Sequence, residues 1–239
     1  MLEKLLEQLK ITPAELINHS VLKSKQAFDE IDKFYQRIND QLNNPSFVNE
    51  MPREKHGYDH LVTHSKRVAF YSALIAKALK LPAKDFCEIV IAGILHDTEK
   101  IYWPMELLYG KTREELTTND WKRIFEHPLA TAIFVERLTR RQISQEVLII
   151  IMQHHEDFDG RGYPKKMSGE DICLGARIIR VTDSYDSITS PRSYKTQIQS
   201  HEEAISEIKN KSGTTYDPKI VGLLEETLTY EKRMEIMRS

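Results

Sequence analysis

Apolar residues in this chain recur every three to four positions over long stretches, and that period belongs to amphipathic helices. Residues 1 to about 42 follow it, with a break at Thr12-Pro13, where threonine can cap and proline suits the first helical turn. Phe28, Ile31 and Ile38 keep the spacing there, and "LNNPSFVNEMPREKHGY" (42–58) reads as a linker or an irregular entry into the main domain. A helix over about 59–80 carries Val68, Tyr71, Ile75 and Leu79 on one face and stops before Pro82. The next runs from about Ala83 through "EIVIAGIL" to His96-Asp97. After a loop around "WPMELLYGKTREE", Thr118 or Asn119 caps a helix ending near His127, and Pro128 starts another that reaches about Leu138. Ser144 caps the helix carrying "VLIIIM", and "SGEDICLGARIIRVTDSYDSITS" (168–190) predicts one more long helix. Asp217-Pro218 opens the last. Nothing reads as a strand, so the predicted fold class is all-α: a helical segment over 1–45 and a main domain over 46–239.

Composition narrows the function. A net charge of −2 gives no reason to expect a nucleic-acid polymer as partner. Cys87 and Cys173 lie far apart inside apolar patterns and read as free buried thiols in a reducing compartment. The opening "MLEKLLEQLK" lacks the apolar run of a signal peptide, and "EIVIAGIL" and "VLIIIM" are too short to span a bilayer. The expectation is a cytoplasmic protein without a membrane partner. The 1–45 helices either pack on the main domain, couple it to something else or form a homodimer.

Candidate chemistry lies in polar residues at positions that should be buried, because an isolated charge there neutralises, pairs or binds metal. Ile172, Ala176, Ile179 and Asp183 share one helix face, which sends Asp183 to the core, while Asp186 follows on a neighbouring line. The bland alternative pairs such a carboxylate with Arg180 or Arg192. His96 and Asp97 end a nearly all-apolar helix, and His60 and His64 share a face at i, i+4, whereas His56 precedes Gly57 outside it. His127 sits at a helix junction, and His154-His155 end an apolar helix in divergent directions. Each histidine alone is more simply structural. Together, six of nine histidines and two acids with no cysteine suit iron, manganese or zinc, in a number better matched to two ions than one.

The elements "HSKRV", "HDTEK", "EHP", "HHEDFDGRGYP" and "ARIIRVTDSYDSITSPRSYK", in this order over roughly 58–200, resemble the HD superfamily of metal-dependent phosphohydrolases, and more closely its HD-GYP subfamily. The resemblance implies an HD-domain helical bundle with extra C-terminal helices around two divalent ions, usually iron or manganese. It implies that His64, His96, Asp97 and Asp183 hold one ion and His127, His154 and His155 the other, with Asp97 bridging. It places Lys100 beside the scissile phosphate, Gly162, Tyr163 and Pro164 in the loop over the site, and Arg192, Lys195 and Asp186 near substrate phosphate or guanine. The reaction it implies is hydrolysis of cyclic di-GMP to pGpG, and onward to GMP in some members, by a metal-bridging hydroxide.

Two departures stand out. Thr98 and Glu99 replace a small apolar residue and glycine, which brings an acid close to a phosphate site. His60 stands where members with a third metal carry glutamate, and is the candidate ligand for a third ion. The alternatives to a cyclic dinucleotide phosphodiesterase are an HD phosphohydrolase of another nucleotide, a di-iron oxygenase, and a catalytically weak cyclic-dinucleotide receptor or interaction module. The Gly-Tyr-Pro loop is also, by resemblance alone, a docking surface for a diguanylate cyclase.

Overall fold

The computed structural model describes residues 57–139, 141, 143–190 and 199–238. The expected helices of 1–45, and Arg192 and Lys195, lie outside these residues. Eight α-helices follow in order: α1 Gly57–Ala78, α2 Ala83–Leu95, α3 Met105–Tyr109, α4 Thr118–Leu138, α5 Gln145–Gln153, α6 Leu174–Thr189, α7 His201–Asn210 and α8 Pro218–Arg238. Short 3-10 turns span Thr98–Tyr102, Arg113–Glu115 and Gly169–Asp171. Among the described residues no strand forms; two isolated bridges, Asp159 with Ser168 and Ser212 with Tyr216, close loops.

The core is built around α2, every residue of which from Phe86 to Leu95 is buried. Such all-round burial explains the continuous apolar run Ile89–Leu95. Gly93 lets α1 approach closely: a Cβ there would lie 2.9 Å from the Ala69 Cα. From the other side, α6 is keyed to α1 by a buried hydrogen bond between Ser72 and Thr182 at 2.9 Å. The start of α6 packs on α5, where a Cβ on Gly175 would meet Ile150 Cδ1 at 2.6 Å. These approaches bring the C-termini of α2 and α5 and the middles of α1, α4 and α6 to one place.

Several boundaries differ from the sequence reading. The two helices expected on either side of Pro128 are one, Thr118–Leu138, with the proline inside. Its cap is Thr117, whose hydroxyl accepts from the Asp120 N–H while the Asp120 carboxylate reaches back to the Thr117 N–H. The reciprocal pair outcompetes the Thr118 and Asn119 expected as caps, because it satisfies two orphan donors at once. The helix expected from 168 begins only at Leu174, since Gly169 takes a φ of +56° and Ile172 is extended. Ile172 is nevertheless buried, as are Ala176, Ile179 and Asp183 of the same predicted face. Helix α3 interrupts the expected 103–115 loop. Helix α7 is an element the periodicity did not resolve; Ser200 and Glu203 form a capping box at its start, and Ala204, Ile205 and Ile208 are its buried stripe. Both cysteines are free, Cys87 buried and Cys173 half-buried.

Candidate metal centre

Three histidines reach the centre by the same local device. The last carbonyls of an α-helix have no intrahelical partner, and a histidine following them can supply one. His96, just past α2, donates Nδ1–H to the Gly93 carbonyl at 2.9 Å, and His154, just past α5, donates to Ile151 at 2.6 Å. In α4 the proline produces an equivalent gap, because Pro128 has no N–H to give the carbonyl four residues earlier, Ile124. His127 Nδ1 donates to that Ile124 carbonyl at 2.6 Å. A carbonyl only accepts, so each Nδ1 carries the proton and each Nε2 presents a bare lone pair to the interior.

His64 is fixed differently, from the middle of α1. Its Nδ1 lies 2.7 Å from Asp186 Oδ2, and Asp186 is also held by the Arg67 guanidinium and by the Ser190 hydroxyl at 3.1 Å. His64 Nε2 points to Asp183 Oδ1 at 3.2 Å. Burial opposes charge on His64, but the Asp183 and Asp186 carboxylates outweigh it and raise its pKa to about 9. Burial likewise opposes charge on Asp186, yet His64 and Arg67 hold it down at about 2. Arg180, the partner considered for Asp183, is engaged instead by Asp157 at 2.8 Å.

Asp97 occupies the middle with its two oxygens facing opposite groups. Oδ2 lies 3.5 Å from His96 Nε2 and 3.8 Å from His64 Nε2. Oδ1 lies 3.4 Å from His127 Nε2 and 3.8 Å from His154 Nε2. Lys100 donates to Oδ2 at 2.7 Å. Burial favours the neutral acid, but Lys100, and then His96 and His127, hold the carboxyl well below the usual range. Burial itself lowers His96, His127, His154 and His155, so these imidazoles are neutral donors near pH 7.

The donor set fits metal ions. His127 Nε2 and His154 Nε2 confront each other at 3.3 Å with two lone pairs and no proton between them, a repulsion that a shared cation removes. His96 Nε2 and Asp97 Oδ1 are buried without a hydrogen-bond partner, the condition of a ligand atom rather than of a structural polar group. The ligand atoms form two groups, His64 with His96 and Asp97, and His127 with His154 and His155, each within 4.8 Å.

Above them opens a cavity of about 510 Å³ bordered by Asp97, Lys100, His60, Tyr163 and Asp183 among others. His60 lies one turn before His64 and belongs to neither group. The 154–167 loop is tied down by Glu156, whose carboxylate accepts the Lys165 and Met167 N–H groups at 2.7 and 3.0 Å. Gly162 crosses so close that a Cβ would sit 2.1 Å from the Asp157 nitrogen. That crossing lays the Tyr163 ring on His155, with centroids 4.8 Å apart and planes 29° apart. Burial raises the Tyr163 phenol well above its ordinary value, so it stays protonated. Of the Gly-Tyr-Pro trio only Tyr163 borders the cavity; Gly162 is buried beneath and Pro164 is exposed. Asp186, expected at the substrate, does not border it and is 1% exposed.

The opposite wall, formed by Trp103, Leu107, Lys111, Arg113, Leu116 and Ile124, carries no motif in the sequence. Its one available signal was the i, i+3 series Asp97, Lys100 and Trp103.

The HD domain family pattern matches residues 55–220. A cyclic di-GMP phosphodiesterase of Pseudomonas aeruginosa is 33% identical over 71% of this chain and 39% of its own length. One of Thermotoga maritima is 30% identical over 83% of this chain and 50% of its own length. A 3′3′-cGAMP-specific phosphodiesterase of Vibrio cholerae is 30% identical over 68% of this chain and 30% of its own length. The chain thus spans half or less of the length of these relatives. Among solved structures, an HDG"Y"P protein from Bdellovibrio bacteriovorus shares the fold with a TM-score of 0.63 at 16% identity, over 95% of this chain and 69% of that one.

Proposed function

The chain belongs to the HD domain family, and from that premise we propose that it is a metal-dependent phosphodiesterase that opens a cyclic dinucleotide, with cyclic di-GMP as substrate and pGpG, then GMP, as products. The observation that carries this reading is Asp97, which turns one oxygen to each histidine group beside Lys100 at the floor of one cavity. His64, His96, Asp97 and Asp183 would hold one ion, and His127, His154 and His155 the other, with Asp97 shared. Two divalent ions, iron or manganese, would supply Lewis-acid polarisation of the phosphodiester and a water acidic enough to attack near neutral pH.

The chain's own residues do the rest. Lys100, already at a carboxylate oxygen, donates to the phosphoryl oxygen on which charge grows. Tyr163, protonated and rigid on His155, offers a donor and an apolar face to the bound nucleotide. No side-chain nucleophile is needed: Cys87 is buried and its thiol is pushed up to about 12 by burial.

A second reading within the class is 3′3′-cGAMP, favoured by the Vibrio cholerae relative. Anaerobically purified protein loaded with iron or manganese is expected to convert one or both cyclic dinucleotides to linear products resolved by chromatography. Full metal occupancy with neither substrate consumed overturns the proposal and leaves a receptor role.

A further inference from the structure

Glu99 places a carboxylate two residues from Asp97, close to where a phosphodiester must bind. The 3-10 turn Thr98–Tyr102 determines where that charge goes. Side chains at i and i+3 of a 3-10 helix stack in line. Asp97, Lys100 and Trp103 form such a line and all border the cavity, whereas Glu99 falls off it and does not. Glu99 Oε2 instead accepts the indole N–H of Trp103 at 2.7 Å. Trp103 is 6% exposed, so its N–H needs that acceptor. The indole in turn stands edge-on to the His127 ring, at 90° and 5.8 Å between centroids. The Lys100 ammonium lies over the indole face, 5.5 Å from its centre, while donating to Asp97.

We propose that Glu99 and Trp103 are a positioning pair: Glu99 fixes the indole, and the indole sets the Lys100 ammonium at the reacting phosphate. The acid that breaks the motif is thereby turned from a charge liability into the anchor of a cavity wall. The proposal rests on Lys100 contacting the substrate phosphate, as in the reading above.

The test compares kcat, KM, metal content and melting temperature of the metal-loaded wild type with Glu99→Gln, Glu99→Leu, Trp103→Phe and the Glu99→Leu/Trp103→Phe double variant, on the cyclic dinucleotide that the wild type cleaves. Glu99→Leu and Trp103→Phe are each expected to lower kcat about tenfold with KM nearly unchanged, since a displaced ammonium is felt in the transition state. The double variant should fall no further, because both changes remove one bond. Glu99→Gln, which keeps an acceptor, should stay near wild type. In a Lys100→Met background, Glu99→Leu should add no further loss, a result that a role in stability alone would not give. Multiplying losses in the double variant, or a Glu99→Gln variant as slow as Glu99→Leu, overturns the proposal.

A wild type inactive on every cyclic dinucleotide defeats the functional reading instead, and the pair is then judged from Trp103 emission in a Trp121→Phe background. Glu99→Leu should shift that emission to the red and Glu99→Gln should not. Unchanged emission in Glu99→Leu overturns the pair whatever the turnover.

Discussion

Asp186 is buried and stays out of the cavity lining, one helical turn from Asp183, which borders it. Its oxygens are engaged by His64, Arg67 and Ser190, and we propose that its part is to hold the His64 ring rather than to touch a nucleotide. Carboxylates that orient metal-binding imidazoles are worth about 10–100-fold in metal affinity. Asp186→Ala is therefore expected to weaken metal binding by about that factor in a chelator competition, with little change in KM at saturating metal. A raised KM at unchanged metal affinity would return Asp186 to the substrate. In the sequence, i+3 spacing placed Asp186 beside Asp183; which of the two faced the cavity depended on α1, more than a hundred residues earlier, and on where His64 and Arg67 stood upon it.

At the scale of the element, helix ends and one mid-helix proline aim the imidazoles. Pro128 leaves the Ile124 carbonyl free for His127, so Pro128→Ala is expected to give back a backbone bond at the expense of ring orientation. Circular dichroism should show unchanged or higher thermal stability, while affinity at the His127 group falls about tenfold. Equal affinity in the two proteins would mean that packing, not the free carbonyl, orients His127. The wall from α3 to the Arg113–Glu115 turn makes a different prediction. Lys111 is paired with Asp120 at 2.8 Å and Arg113 lies over the Trp121 ring at 5.4 Å, and both border the cavity. The Lys111→Ala/Arg113→Ala variant is expected to raise KM for a cyclic dinucleotide about tenfold while leaving a single-phosphate diester unaffected. That wall was illegible as a site because its residues have no shared period: a short helix packed on α1 and a turn held against the start of α4 bring them together.

For the whole molecule, the price of a polar centre is visible elsewhere in the core as well. Glu88 sits on the buried part of α2, 2% exposed, with Lys84 at 3.6 Å. Burial raises its carboxyl above the ordinary 4.5, and Ser144 and Lys84 only partly offset that. A carboxyl whose folded pKa is raised contributes stability below its unfolded value and loses it as pH rises through the folded one. Glu88→Gln is expected to raise the urea midpoint at about pH 8 and to lose that advantage near pH 4; a gain independent of pH would rule out ionisation as the cause. The helical period by itself determined the class, most of the helices and which faces were apolar, because burial selects residue type at each turn. Residue chemistry also singled out the histidines and acids, since few residues of that kind survive on an apolar face without a purpose. The tertiary structure alone decided that Asp97 stands between two groups, that Asp186 lies behind His64, and that Trp103 stands edge-on to His127. Those are relations between helices distant in sequence, set by close approaches such as Gly93 on Ala69, and no local pattern encodes how one helix lies against another.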